Sequence, residues 1–179
     1  PKDISSLINF SEEKKYKPNI LSAVSEVNKN QKKYFFNKII NRFSSKAKSL
    51  EGMQFGIWGL SFKPGTDDMR ESPSIYIINK IIDSGGVVKV YDPKAMKVSK
   101  ENYLKDLLNI DYCDDKYDVL NNSDALVLIT EWPEFRSPDF KLIKNKLKTS
   151  IIFDGRNQYN YKELNELGFE YYQIGKNNK

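Results

Sequence analysis

Three cationic side chains stand where the sequence could bind an anion. Lys63 and Arg70 lie in a polar run, 61–70, that directly follows an apolar segment, and Arg156 follows another apolar segment that ends at Asp154. A lysine is a flexible point charge suited to a phosphate, whereas an arginine presents a planar fork of donors that matches a pyrophosphate or a carboxylate. These residue types predict a site for a phosphate-bearing ligand. The alternative is a solvated loop in which Arg70 pairs with a nearby acid: Asp67, Asp68 or Glu71.

The elements that must position these residues lie on either side of the polar run 61–70. Residues 53–60 are apolar and predict a short strand, isoleucines at helical spacing over 75–82 predict a helix, and a second apolar strand ends at Asp92-Pro93. Strand, loop, helix and strand form a βαβ unit, from which parallel sheets are built. Ligands of open α/β sheets bind beyond the carboxyl ends of the strands, which is where this polar run lies.

The helix that begins near Ser72-Pro73 adds a second reason to expect an anion. Its free backbone N–H groups and the positive end of its dipole would face the polar run. Neither a G-x-G-x-x-G run nor a G-x-x-x-x-G-K-[ST] run is present, so the two standard phosphate fingerprints do not apply. Asp92 stands where NAD-binding domains place an acid on the ribose, but without those glycines we predict that Asp92-Pro93 forms a structural turn.

The remainder of the chain alternates short strands and helices. Strands are predicted at 110–112, 125–129, 150–154 and 171–174, and helices at 104–108, 116–121, 140–147 and 161–167. Glu131-Trp132-Pro133 is predicted to start a helix with a packed tryptophan. The alternation predicts an α/β fold, a Rossmann-like doubly wound parallel sheet of five or six strands.

A long helix is predicted before this α/β region. One stripe recurs at steps of three and four residues, namely Ile20, Val24, Val27, Gln31, Phe35, Ile39 and Phe43. About 25 residues give a helix of about 38 Å, which is longer than a compact domain usually needs. A helix of this length, near residues 19–43, is typical of one that joins domains or packs on another subunit; a core helix of this domain is the alternative. Residues 44–51 are the predicted linker, which divides the chain into a helical segment, 1–48, and an α/β domain, 49–179.

Composition narrows the classes of protein. With 179 residues, 39% of them apolar and 30% charged, the chain is predicted to be soluble and globular. Its net charge of +5 does not predict nucleic-acid binding, because the lysines are dispersed among 24 acids. No apolar run approaches the roughly 18–20 residues of a membrane span, and Pro1 begins no signal-peptide pattern. We therefore expect a cytoplasmic protein without membrane contact.

The numbers of cysteine and histidine residues exclude further kinds of site. The chain has one cysteine, Cys113, and no histidine, so an internal disulfide, a transition-metal site and a His-based catalytic triad are not expected. Acids flank Cys113 and would raise the pKa of its thiol, which disfavours the reactive thiolate. We predict that Cys113 is an ordinary residue.

One run of the sequence is specific enough to suggest a family. Residues 59–74, GLSFKPGTDDMRESPS, closely resemble the signature that opens the C-terminal domain of the UDP-glucose/GDP-mannose dehydrogenase family. Further matches follow in order up to about residue 175. They are Pro1-Lys2-Asp3, Ala23-Val24 with Val27-Asn28, Tyr91-Asp92-Pro93, Thr130-Glu131-Trp132 and Phe153-Asp154-Gly155-Arg156. The resemblance implies a UDP-sugar-binding domain preceded by part of a central helical domain, whose long helix forms a dimer in family members.

The resemblance also implies a reaction and roles for individual residues. In similar enzymes that act on UDP-glucose, NAD accepts two hydrides from C6, and UDP-glucuronate forms through a cysteine-bound thiohemiacetal and thioester. The implied roles are contact with NAD for Lys2, positioning or activation of water for Asp3, binding of the nucleotide sugar for Phe62 and Lys63, contact with the NAD pyrophosphate for Arg70, and substrate binding for Arg156.

The sequence departs from the family pattern at the nucleophile. The family's catalytic cysteine belongs to a G-G-S-C-x-P-K-D motif, and this chain begins at the P-K-D. We therefore expect the isolated chain, without that cysteine and the NAD-binding domain, to be inactive. Two alternatives stay open: a dehydrogenase of another nucleotide sugar, GDP-mannose or UDP-N-acetylmannosamine, and a non-catalytic nucleotide-binding or assembly module.

Overall fold

Six short strands form the centre of the computed structural model, which describes residues 2–44 and 49–176. The strands are β1 (Gln54–Trp58), β2 (Val87–Tyr91), β3 (Ile110–Tyr112), β4 (Ala125–Leu128), β5 (Ile151–Asp154) and β6 (Glu170–Gln173). All neighbouring pairs are parallel, and the order across the sheet is β3-β2-β1-β4-β5-β6. This is the strand order of the doubly wound dinucleotide-binding fold, so the predicted fold class is confirmed.

The described residues also contain six α-helices. They are α1 (Lys2–Glu13), α2 (Asn19–Phe43), α3 (Pro73–Asp83), α4 (Met96–Val98), α5 (Phe140–Lys146) and α6 (Tyr161–Glu166). The predicted long helix is confirmed, because α2 spans 25 residues. None of the helices in the described part of the chain is both long and apolar enough to cross a membrane.

Neighbouring residues of the central strands pack in two different hydrophobic cores, because successive side chains of a strand point to opposite faces of the sheet. Phe55 and Ile57 of β1 pack in the core that contains residues of α2 and α3, whereas Trp58 packs in the core that contains residues of α5 and α6. All four residues of β4 are buried, and so are those of β5. Burial on both faces explains why these strands are uninterrupted apolar runs.

The apolar stripe of α2 is buried only over the second half of the helix. Phe35 and Ile39 lie in the core, whereas Ile20, Val24 and Val27 are 81%, 39% and 57% exposed. The predicted stripe therefore has two environments. Its second half packs as a core helix would, and its first half leaves apolar side chains on the surface.

Two predicted helices differ from the structure. Residues 104–108 are not helical; the helical backbone comes earlier, in α4 and in a π-helical turn at Ser99–Tyr103. It ends at Leu104, whose side chain is buried in the core. The helix predicted at 116–121 is reduced to one 3₁₀ turn, Asp118–Leu120.

The predicted linker 44–51 ends too late. Leu50 is fully buried, and its backbone N–H donates to the carbonyl of Ser84 at 2.6 Å. A single apolar residue in a polar run thus anchors the chain to the domain, and the sequence pattern gives no sign of it. Residues 45–48 of the predicted linker lie outside the described residues.

Candidate functional site

A cavity of about 420 Å³ opens between α2 and the carboxyl edge of the sheet. Its lining is mostly apolar, with Phe35 from α2, Phe62 from the loop after β1, Ile77 from α3 and Ile129 from the end of β4. Gly155 also lines it, and a Cβ at that position would lie 3.3 Å from the Phe35 ring. The glycine therefore lets α2 approach the sheet edge closely enough to form one side of the cavity.

Arg156 lines this cavity and is held by three neighbours. Its Nε lies 2.7 Å from the carbonyl oxygen of Ile129 and 2.9 Å from Oε2 of Glu131. Its Nη2 lies 3.3 Å from the carbonyl oxygen of Phe62. The guanidinium thus joins the chain segments that follow β1 and β4, and it places a cation beside the apolar lining.

The backbone that carries Arg156 is fixed by a buried carboxylate. Asp154 accepts hydrogen bonds from the backbone N–H groups of Arg156 at 2.8 Å and Gln158 at 2.7 Å, and from the Tyr171 hydroxyl at 2.6 Å. Burial, together with the Asp154 carboxylate, raises the pKa of Tyr171 well above its usual range, so this hydroxyl keeps its proton and remains a donor. The loop that presents Arg156 is therefore ordered from inside the protein.

The loop after β1 brings Phe62 to the cavity. Ser72 caps α3, and its hydroxyl donates to the carbonyl of Leu60 at 2.8 Å, which ties both ends of the loop together. This cap confirms the predicted start of the helix. The structure brings Phe62 and Arg156 together at the cavity. The predicted convergence of Lys63 with Arg156 is not seen there, because Lys63 is exposed and does not line the cavity.

Arg70 pairs with Asp68, which is the predicted alternative to an anion site. Its Nε lies 2.8 Å from Oδ1 of Asp68, its Nη2 lies 2.5 Å from Oδ2, and the pair is exposed at the surface. The hydrogen bonds that Arg70 donates to Asp68 raise the pKa of Arg70 above its usual value. An exposed pair of this kind contributes little to stability, so its effect is to orient the guanidinium. Arg70 does not line the cavity.

Asp92 is closed to ligands. Its side chain is 1% exposed, and Oδ2 accepts hydrogen bonds from the backbone N–H groups of Leu60 and Ser61 and from the Trp132 indole, at 2.7, 3.0 and 3.0 Å. Oδ1 accepts two backbone N–H groups of its own turn. The predicted structural turn is confirmed, and so is the packing of Trp132, which precedes a 3₁₀ turn.

A second depression, of about 470 Å³, lies beyond β2 and β3. Lys97, Lys100 and Cys113 are among the residues that line it. Burial raises the pKa of the Cys113 thiol, and the surrounding acids add to the shift. The predicted direction is confirmed, although its main cause is burial, so Cys113 is not an activated nucleophile.

Asp3 of the family-like start is not among the described residues that line the cavity. Asp3 is exposed in the first turn of α1, and α1 contacts α2. The side chain of Lys2 lies outside the described residues. The structure therefore does not bring Asp3 to the cavity.

Sequence reasoning missed one side of the site. Asn28, Gln31 and Lys32 of α2 line the cavity beside Arg156. The available signal was Gln31, a polar residue inside an otherwise apolar helical stripe. The site is therefore built by the helical segment and the α/β domain together, not by the domain alone.

Comparison with known proteins places these features in a family. The model of the "UDP-glucose/GDP-mannose dehydrogenase family, UDP binding domain" matches residues 56–161. A UDP-glucose 6-dehydrogenase of Pseudomonas aeruginosa is 37% identical over 178 residues, which cover 98% of this chain and 39% of that protein. The chain thus spans well under half the length of this relative.

Solved structures give the same result for the fold. A UDP-glucose dehydrogenase of Pyrobaculum islandicum superimposes with a TM-score of 0.75 at 28% identity, over 97% of this chain and 36% of that one. The UDP-D-ManNAc dehydrogenase of Pyrococcus horikoshii shares the fold at 23% identity, with a TM-score of 0.72 over 92% of this chain and 35% of that one. Because the family model matches more than half of its residues, this chain belongs to the UDP-glucose/GDP-mannose dehydrogenase family and contains the family's UDP binding domain.

Proposed function

We propose that this chain provides the nucleotide-sugar-binding part of an NAD-dependent UDP-glucose 6-dehydrogenase, which oxidises UDP-glucose to UDP-glucuronate. The observation that carries the proposal is the cavity between α2 and the sheet edge, where Phe62 and Arg156 meet. The chain spans 39% of the Pseudomonas aeruginosa relative. The activity, substrate and cofactor of the whole enzyme are therefore part of the proposal.

The cavity has the chemistry that a nucleotide sugar requires. Ligand sites are mostly apolar with a few placed polar groups, and this lining combines apolar side chains with the Arg156 guanidinium. Phe62 packs against the ligand, Arg156 donates to its phosphates or sugar hydroxyls, and the exposed Lys63 supplies a flexible charge to a phosphate. Asp3 positions or activates the water that releases the acid product.

Contact with NAD is proposed for Lys2 and Arg70 alone. The described residues do not fit a dinucleotide site of the usual kind, because Asp92 is buried and both of its oxygens already accept hydrogen bonds. Arg70, by contrast, is exposed and its fork is oriented by Asp68, which suits a pyrophosphate that approaches from outside this domain. NAD, when bound, supplies the acceptor for the hydrides removed from C6.

Calorimetric titration of this chain with UDP, UDP-glucose and NAD tests the proposal. We expect UDP and UDP-glucose to bind and NAD to give no detectable heat. Arg156→Ala should weaken UDP-glucose binding by about tenfold or more, since a charge-assisted hydrogen bond is worth about 1.5–3 kcal/mol. Arg136→Ala, at an exposed position, should leave the affinity unchanged.

Two results would contradict the proposal. If neither UDP nor UDP-glucose binds at millimolar concentration, the cavity is not a nucleotide-sugar site and the chain is better described as an assembly module. If GDP-mannose or UDP-N-acetylmannosamine binds at least tenfold more tightly than UDP-glucose, the substrate is a different nucleotide sugar, and Arg156 keeps its role.

We also propose a cytoplasmic homodimer that forms through α2. The support is the exposed apolar half of that helix, Ile20, Val24 and Val27, together with the exposed Phe10 of α1. Apolar side chains at successive turns of one helix are typical of an interface. In light scattering, the double variant Ile20→Glu, Val27→Glu should be a monomer and Lys33→Glu a dimer, whereas a monomeric unmodified chain would contradict the proposal.

A further inference from the structure

One lysine of α2 reaches toward the loop before α3. The Nζ of Lys32 lies 3.2 Å from the carbonyl oxygen of Glu71 and 3.8 Å from its Oε2. Both residues line the cavity together with Arg156. Lysines on helices usually extend into water, but the Lys32 side chain is only 22% exposed, so its charge is held within the site.

The contact between Lys32 and Glu71 is weak enough to be exchanged. The distance of 3.8 Å to Oε2 is too long for a hydrogen bond, and the Glu71 side chain is 56% exposed, so water screens the pair. The Glu71 carbonyl satisfies one of the three N–H donors of the ammonium group. A stronger anion in the cavity could therefore take the place of the Glu71 carboxylate.

Arg156 shows the same arrangement on the sheet side of the cavity. Its Nε lies 2.9 Å from Oε2 of Glu131, a residue on the chain segment that follows β4. Each of these two cavity-lining cations thus has a carboxylate neighbour from an adjoining loop. The carboxylates balance the cations, and they also oppose the entry of an anionic ligand.

We propose that Lys32 is a second phosphate-binding residue of the cavity and that Glu71 competes with the phosphate for it. This inference deepens the proposed function and rests on it. The ligand class is a nucleoside diphosphate, whose phosphates contact Lys32 from α2 and Arg156 from the loop after β5. Affinity is then set by two opposed groups, one cation that attracts the phosphates and one carboxylate that repels them.

A purely structural contact between α2 and the loop predicts a different pattern. In that case the removal of Lys32 or of the Glu71 charge would change stability in the same direction, and neither would change affinity in a phosphate-dependent way. Competition predicts opposite signs. The loss of the cation weakens binding of a diphosphate, the loss of the carboxylate strengthens it, and an uncharged nucleoside is indifferent to both.

The experiment is calorimetric titration with UDP and with uridine for the unmodified chain and three variants. Lys32→Met should weaken UDP binding by about tenfold, since one charge-assisted hydrogen bond is lost. Glu71→Gln, which retains Lys32 and the backbone carbonyl, should tighten UDP binding by about two- to fivefold. Lys33→Met, at an exposed position of the same helix, should change neither affinity.

The outcomes distinguish a failure of this inference from a failure of the proposed function. If the unmodified chain binds UDP, but Lys32→Met binds it equally well or Glu71→Gln weakens it, the inference is wrong and the proposed function stands. If the unmodified chain does not bind UDP, the proposed function and the inference fall together. If Lys32→Met does not fold, as judged by circular dichroism, the sign of the Glu71→Gln effect alone decides.

Discussion

Two buried aspartates at the carboxyl edge of the sheet are held by different donors. Asp92 follows β2, and it accepts hydrogen bonds from two other segments of the chain, through Ser61 and the Trp132 indole. Asp154 ends β5, and it accepts hydrogen bonds from its own loop, including the backbone N–H of Arg156. Each carboxylate also has donors of the other kind, since Asp92 accepts from its own turn and Asp154 accepts from the Tyr171 hydroxyl of β6. The difference is that Asp92 fixes the segments that follow β1 and β4, whereas Asp154 orders a loop that faces the cavity.

This difference shows that a place at the sheet edge does not by itself make a binding residue. Trp132 donates to Asp92 where a ribose hydroxyl would have to donate, so this carboxylate serves the fold. At Asp154 the loop leaves Gly155 and Arg156 in the lining of the cavity, so that carboxylate serves the site. The segment that each carboxylate orders, not its position at the sheet edge, separates the two functions.

The largest stability effect is expected at Gly59, whose φ of +93° lets the chain leave β1 beside Thr130 and reach Asp92. A Cβ there would lie 2.5 Å from the Thr130 Cβ. Gly59→Ala should therefore lower the free energy of unfolding by about 3 kcal/mol or more, measured in urea. Gly65→Ala is the control, because φ is +88° but no heavy atom lies within 4 Å; about 1–2 kcal/mol is expected. Equal losses would show that close packing near Asp92 is unimportant.

The second-largest loss of stability is expected from Asp92→Asn. An amide keeps only one acceptor oxygen, so its NH2 group must face one of the two sets of donors. If the amide oxygen takes the place of Oδ2, the NH2 group faces the backbone N–H groups of Lys94 and Ala95, and these donors lose their partner. The free energy of unfolding should fall by about 2–4 kcal/mol. Asp106→Asn, at an exposed position, should change it by less than about 0.5 kcal/mol.

Tryptophan fluorescence of Asp92→Asn and Asp154→Asn tests whether the hydrogen-bond networks of the two aspartates are independent. Asp92→Asn replaces the charged one of the two acceptors of the Trp132 indole, the other being Oγ of Ser61, and should shift the emission of the folded protein. Asp154 accepts from backbone N–H groups and from the Tyr171 hydroxyl, so Asp154→Asn should leave the emission in place but weaken UDP-glucose binding through Arg156. An emission shift in both variants would mean that the two networks are coupled.

A smaller effect is expected from Tyr171→Phe, which removes the hydroxyl that donates to Asp154 at 2.6 Å. At neutral pH the loss should be about 1–2 kcal/mol. Burial raises the pKa of Tyr171 in the folded state, so above about pH 10 the unfolded chain releases a proton that the folded chain retains. Stability should therefore fall as the pH rises above that value, and less steeply in the variant. Tyr16→Phe, at an exposed tyrosine, should keep the steep fall.

The sequence predicted the elements better than it predicted the site. Uninterrupted apolar strands such as 125–129 reveal burial on both faces, and Ser72-Pro73 reveals a helix start, so the sheet and its carboxyl edge were readable. The contribution of Lys32 was not, because a helical lysine usually lies in water and only the packing of α2 on the domain turns it inward. Lys63 does not line the cavity, because contacts between residues distant in sequence fix the conformation of its loop. The sequence alone does not show those contacts.

The smallest effect is expected where a carboxylate is paired at the surface. Oε1 of Glu170 lies 2.6 Å from Nε of Arg42, but the two side chains are 40% and 39% exposed. The hydrogen bond from Arg42 lowers the pKa of Glu170, so its contribution is present above about pH 4.3 and is lost as the pH falls through the lowered folded-state value. In urea unfolding, Glu170→Gln should cost no more than about 1 kcal/mol at pH 7 and nothing near pH 2. Glu166→Gln, whose partner Lys162 lies 3.9 Å away with both side chains mostly exposed, should cost nothing at either pH. A Glu170→Gln loss as large as that of Asp92→Asn would mean that burial is not what distinguishes the two strand-end aspartates from carboxylates at the surface.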